Sequence, residues 1–236
     1  MDFTLNNFTK TSANWLFPKK CIVCKQAEPQ DNHPCCTTCY LTLPFQTHAC
    51  AQCGQRFAAN SDHCGRCINK PPLFDACFCP FEYQGIIKTQ IQNFKYHQQL
   101  ELASQLAQLM EYELHTNGIE LPDMLVPVPL HISRLRSRGY NQSQLLANAL
   151  AKRLNTPVDN NIIVKHRKTS PQAELSLKKR SNNLKSSFKI KKKCSLKSVA
   201  IIDDVVTTGS TANEIAKTLK KNGVNYIQAW GLAHTI

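Results

Sequence analysis

Apolar residues keep no regular period before about residue 72, and from Phe74 onward short apolar runs alternate with stretches of helical spacing. Phe78 to Tyr83 predicts a strand. Ile86 to Tyr96 predicts a helix with Ile87, Ile91 and Phe94 on one face. Leu100 to His115 predicts a second helix, built on Leu102, Leu106, Leu109, Met110 and Leu114 and stopped by Asn117-Gly118. Met124 to Leu130, MLVPVPL, is a short apolar strand whose prolines close its far end. Asn141 to Leu154 is helical, with Leu145, Leu146, Ala149, Leu150 and Leu154 on one face. Ile162 to Val164 is a brief buried strand, Leu175 to Leu184 a polar helix, and Phe188 with Ile190 a short edge strand. Val199 to Ile202 is a buried strand, Thr211 to Lys221 a helix with Gly223 suited to its C′ position, and Tyr226 to Leu232 the last strand. Strands alternating with helices predict an α/β fold with a mainly parallel sheet flanked by helices and ligand chemistry at the sheet's carboxyl edge.

The first region is rich in Cys, Pro and turn residues and cannot build a core from side chains alone. Lys70-Pro71-Pro72 is a natural boundary, so the expected organisation is a Cys-rich module over 1–72 and an α/β domain over 73–236. No apolar run approaches the roughly 20 residues of a membrane span. The N-terminus, MDFTLNNFTKTSANWLF, lacks the basic start and apolar stretch of a signal peptide. A cytoplasmic chain is therefore expected. Phe3, Leu5, Phe8, Trp15, Leu16 and Phe17 form an apolar face that packs or, as the alternative, touches the inner membrane peripherally.

Eleven of the twelve cysteines precede residue 80, and in a reducing compartment metal binding explains them better than disulfides. Four CxxC pairs stand out: Cys21 with Cys24, Cys36 with Cys39, Cys50 with Cys53, and Cys64 with Cys67. A CxxC knuckle points two thiolates at one ion, and two knuckles complete a tetrahedral site of four thiolates. Eight ligands imply two structural zinc ions, with sequential pairing favoured over interleaved. Cys35 competes with Cys36, but only Cys36 has the knuckle spacing. His33, His48 and His63 are alternative ligands, more often bystanders.

The net charge of +13 is concentrated: between Lys165 and Lys197 twelve Lys and Arg face one acid, Glu174. Such a strip suits phosphate-rich partners, with a solvated surface as the plain alternative.

The densest signal is Val199 to Thr211, VAIIDDVVTTGST. Four apolar residues bury a strand, Asp203 and Asp204 follow, and Thr207, Thr208, Gly209, Ser210 and Thr211 lead into a helix. A helix start offers unpaired N–H groups and a positive dipole end, and small residues let phosphate approach it closely. The carboxylates can accept hydrogen bonds from vicinal hydroxyls or hold Mg²⁺. A phosphate pocket beside a diol pocket describes a ribose 5-phosphate. The Walker lysine and the GxGxxG fingerprint are both missing.

This run resembles the PRPP-binding motif of type I phosphoribosyltransferases. PVPL at 127–130, RLRSRGYNQS at 134–143, Gln172, Leu175, Arg180 and Asn183, and VAIIDDVVTTGST occur in this order, and together with the Cys-rich N-terminus they resemble the ComF family over nearly the full chain. The resemblance implies a type I phosphoribosyltransferase fold behind a double zinc ribbon. It implies that Asp203 and Asp204 bind the ribose hydroxyls, that Thr207 to Thr211 bind the 5′-phosphate, and that Mg²⁺ bridges the pyrophosphate. Arg136, Arg138, Asn141, Arg167, Gln172 and Arg180 are candidate contacts to phosphate or DNA, and Lys165 to Ser176 resembles the loop that closes over PRPP. No general base is assigned.

Three functions compete. The resemblance implies a competence protein acting on imported single-stranded DNA, with a helicase-like or recombination protein as partner. The site equally suits an active phosphoribosyltransferase of nucleotide metabolism with an unknown acceptor. A non-catalytic adaptor holding a 5′-phosphorylated nucleotide is the third.

Overall fold

The computed structural model describes residues 20–26, 33–58, 61–96, 101–166, 187–191 and 196–235. By its contacts the chain divides into a small unit, Met1–Leu43, and a large one, Pro44–Ile236.

In the small unit Cys21, Cys24, Cys36 and Cys39 converge, their sulfurs all within 4.8 Å of one another. The Cys21 knuckle is an N–H-rich turn: the Val23 N–H lies 3.4 Å from the Cys21 sulfur, and Lys25 takes φ +62° to close it. Helix α1 (Thr37–Leu41) starts directly after Cys36, which carries Cys39 back toward the first pair. Cys35 is buried outside the cluster, so the knuckle spacing selects Cys36.

The second cluster, Cys50, Cys53, Cys64 and Cys67, belongs to the large unit and is buried throughout. Helix α2 (Gly65–Asn69) follows Cys64 as α1 follows Cys36. The sulfurs of Cys53 and Cys64 stand 3.7 Å apart, close to the ~3.8 Å edge of a tetrahedron with ~2.3 Å zinc–sulfur bonds. Both clusters pair their knuckles sequentially. The second is joined to the sheet, since the Cys77 N–H donates to the Ala51 carbonyl at 2.9 Å. Gly54 permits this: its φ is +72°, and an added Cβ would lie 2.7 Å from the Cys77 sulfur.

The main sheet has the order β1 (Ala76–Phe78), β7 (Tyr226–His234), β6 (Ser198–Val206), β3 (Met124–Pro127), every pair parallel. The strand expected over Phe78 to Tyr83 is split. β1 and β2 (Phe81–Glu82) both pair with β7 in one register, Phe78 opposite Trp230 and Phe81 opposite Ala233. The break falls at Cys79-Pro80, where proline has no N–H for the ladder. β6 and β7 are apolar on both faces, as helices α3 (Gly85–Tyr96), α4 (Leu102–Thr116), α6 (Gln142–Leu154) and α7 (Ser210–Lys220) flanking a parallel sheet require. α4 packs on α6, and α6 on β3 and β6. On the other face Ala212, Ile215, Ala216 and Leu219 of α7 meet Val199, Ile201, Ile227 and Ala229. The buried Trp230 indole donates to Gln228 at 2.9 Å, and Gln228 in turn donates to the Glu120 carbonyl.

Two further features depart from the sequence reading. β4 (Ile163–Lys165) and β5 (Phe188–Ile190) leave the main sheet and pair antiparallel with each other. The arginine-rich run before Gly139 is a helix, α5 (Ile132–Arg138), capped by the His131 ring, which accepts from the Ser133 N–H, and ended by Gly139 at φ +83°. The helix expected over Leu175 to Leu184 lies outside the described residues. Among the described residues no helix is long and apolar enough to cross a membrane.

The cluster in the large unit predicts a metal-linked stability. Purified chain should carry two zinc ions, and Cys67→Ser should take the count to one and lower the large unit's melting midpoint by at least ~5 °C. Elemental analysis and calorimetry measure both, and a midpoint that does not move would contradict the arrangement.

Candidate functional site

β6 runs four residues beyond the apolar stretch, through Asp203 and Asp204 to Val206. Both carboxylates thus stand at the carboxyl end of a central parallel strand, where such sheets open to ligands. Asp204 is buried and Asp203 half-buried. Thr207 to Gly209 then turn into α7, with Gly209 as N-cap at φ +69°. An added Cβ on Gly209 would meet the Phe74 ring at 3.1 Å, so the loop needs glycine for its backbone and for its packing. The Thr208 hydroxyl lies 2.6 Å from the Ser210 hydroxyl and accepts from the Ser210 N–H. No acid occupies the first turn of α7 to compete with an incoming anion at its positive end.

The carboxylates and the loop form one wall of a cleft of about 610 Å³. Lys95 from α3, Arg134 and Arg138 from α5, and Lys165 at the end of β4 supply positive charge around it. The Lys95 ammonium sits 2.8 Å from one oxygen of Asp204. The Gln142 amide approaches the other at 3.4 Å, and the Ser143 hydroxyl donates to Asp203 at 3.0 Å. Burial pushes the Asp203 carboxyl up to about 7, with the Asp204 charge adding to it and Lys95 and Ser143 opposing. Burial works against the Lys95 ammonium, but Asp204, helped by Asp203, overrides it and raises its pKa. Burial, aided by Arg134, brings Lys165 down to about 8.

The segment Gly139 to Ser143 assembles this site residue by residue. Gly139 ends α5. The Tyr140 hydroxyl donates to the Phe94 carbonyl at 2.6 Å and so ties down the turn of α3 that carries Lys95. The Asn141 side chain donates to the Val128 carbonyl at 3.0 Å, fixing the chain as it leaves β3. Gln142 and Ser143, the first residues of α6, reach the carboxylates.

Of the residues singled out in the sequence, Asp203, Asp204, Thr207, Thr211 and Arg138 line the cleft. Gly209 and Ser210, again with Thr207 and Thr211, line a recess of about 50 Å³ under the loop. Thr208 serves the loop itself. Asn141 is buried behind the wall and holds backbone, and Arg136 is exposed and does not line the cleft. Arg167, Gln172 and Arg180, with most of the loop over Lys165 to Ser176, lie outside the described residues. Lys95 was missed: it and Asp204 are far apart in sequence, and a lysine in a helix's last turn usually marks only the helix end.

Residues 12–68 match the double zinc ribbon domain. Competence protein F of Haemophilus influenzae is 36% identical over 224 residues, covering 92% of this chain and 97% of that one. DNA utilization protein YhgH of Salmonella typhimurium is 34% identical over 223 residues, covering 93% and 98%. Competence protein ComFC of Bacillus subtilis is 24% identical over 224 residues, covering 86% and 89%. With this coverage and the paired four-cysteine clusters ahead of a parallel α/β sheet, the chain belongs to the ComF family, alongside competence protein F and YhgH.

Proposed function

We propose that this chain handles imported single-stranded DNA during natural transformation, and that its cleft holds a 5-phosphoribosyl ligand, PRPP with Mg²⁺. One observation carries the ligand reading: Asp203 and Asp204 at the end of β6 stand beside a glycine-hinged hydroxyl loop opening α7, in a cleft ringed by cations. Hydroxyls at C2 and C3 of a ribose donate to the carboxylates. The 5-phosphate sits on the loop Thr207 to Thr211 and the start of α7. Arg134, Arg138 and Lys165 face the pyrophosphate. When bound, Mg²⁺ neutralises pyrophosphate charge, and the hard oxygens of Asp203 and Asp204 fit such a cation directly or through water. Lys95 keeps Asp204 in register. The DNA reading is supported by the names of the relatives and by the basic strip between Lys165 and Lys197.

Titration calorimetry with Mg-PRPP tests the cleft. The chain should bind it, and Asp203→Asn combined with Asp204→Asn should weaken binding by about 30-fold or more, since hydrogen bonds to charged groups are lost. A chain that takes up no PRPP at any Mg²⁺ concentration would refute the reading.

A second outcome concerns pH. The Asp203 pKa is raised in the folded chain from its usual 3.8 to about 7, so folding takes up a proton in that interval. The neutral carboxyl is the stabilised form. Stability from this group is therefore fully present below pH 3.8 and is lost as pH rises through about 7. Without ligand, the melting midpoint of the chain should fall relative to Asp203→Asn by about 5 °C across that window. Parallel curves for the two proteins would show that Asp203 is not held in this environment.

A further inference from the structure

A second concavity lies on the large unit, between β5 and α7, with a volume of about 570 Å³. Its walls carry exposed lysines in two rows. Lys189 and Lys191 are two residues apart on and just after β5, so they project from the same side of the strand. Lys217 and Lys221 are four apart along α7 and its C-cap, one above the other on a single face. The floor is apolar, from Phe188 and Ile190. Glu214 is the one acid among the lining residues.

Lysines near a helix C-terminus ordinarily complement the helix dipole. Lys220 has partners besides: its ammonium donates to Asp75 at 2.8 Å and to the Asn225 carbonyl. The four groove lysines differ. None makes an ion pair among the described residues, and two of them come from a strand that owes nothing to the helix end. Four exposed lysines without ion-pair partners around one concavity concentrate positive charge there, and a polyanion is the partner that such a surface attracts.

We infer that this groove is a track for the phosphate backbone of single-stranded nucleic acid. The inference deepens the DNA part of the proposed function and does not depend on what the ribose-phosphate cleft holds. A concave track with positive walls follows a flexible single strand, whose phosphates can enter it. Phe188 is only 5% exposed and offers almost no stacking face, so recognition is electrostatic and indifferent to base sequence. A duplex, with its stiff convex backbone, reaches the walls less well.

Fluorescence anisotropy of the full chain with a labelled oligothymidylate of about 20 nucleotides, over a range of salt, tests this. Replacing Lys189, Lys191, Lys217 and Lys221 together by Gln should weaken binding by at least ~30-fold at low salt. It should also flatten the slope of log affinity against log salt by about 3, as loss of four phosphate contacts requires. The helix pair alone, Lys217→Gln with Lys221→Gln, should give about half the slope change, and Arg at all four positions should restore the binding. Mg-PRPP affinity should be the same in the Gln chain as in the original, so a failure of the cleft reading leaves this test intact. Unchanged affinity and slope in the fourfold variant would overturn the inference. So would equal charge-dependent binding of polyglutamate, which would mark the groove as a site for acidic protein surfaces, or tighter binding of the duplex than of the single strand.

Discussion

Two adjacent carboxylates at the end of a buried strand set the terms for the rest of the large unit. Asp204 has left water, and Asp203 stands next to it with its proton held to about pH 7. Like charges in a low-dielectric setting do not persist without compensation. Lys95 supplies it from α3, which is remote in sequence, so α3 must end at the cleft. Tyr140 fixes that end through the Phe94 carbonyl. Arrangements of α3, α5 and the start of α6 that separated these groups would leave a desolvated charge alone. One electrostatic requirement thus accounts for how the walls of the cleft come together.

The sequence displayed the parts of this arrangement that depend on neighbours in the chain. Apolar runs such as Val199 to Ile202, CxxC spacing, and a glycine between hydroxyl residues before a helix are local signals, and the elements and clusters they point to are present. The elements that were not legible depend on distant partners. Ile163–Lys165 and Phe188–Ile190 were each visible as strands, but their pairing with each other was not, because a three-residue strand carries no register information of its own. α5 was hidden because ISRLRSR has too few apolar positions to display a helical period, and its caps, His131 and Gly139, define it instead. The Lys95 partnership had no local mark at all.

The two four-cysteine clusters look equivalent in sequence and differ in their surroundings. One lies in the small unit, where Ile22 and Leu43 are the buried aliphatic side chains among the described residues. The other is buried in the large unit and linked through Ala51 to the backbone of β1. Where a small polypeptide cannot bury enough apolar area, a metal supplies the missing free energy. The second cluster also shapes a segment which the α/β sheet uses.

That use has a consequence for the outer strands. A parallel sheet of this size ends in strands with unpaired backbone groups, and such edges pair readily with other chains. Here each is blunted by irregular backbone. Pro44 and Gln46 exchange hydrogen bonds with the β2 region, and Pro157 and Asp159 bracket Leu125 of β3. At β1 the guard is Ala51, held in place by the thiolates around it. The cysteine cluster thereby serves the sheet as well as itself: the knuckle that it shapes lays Ala51 against Cys77 and covers an edge on which another chain would otherwise pair.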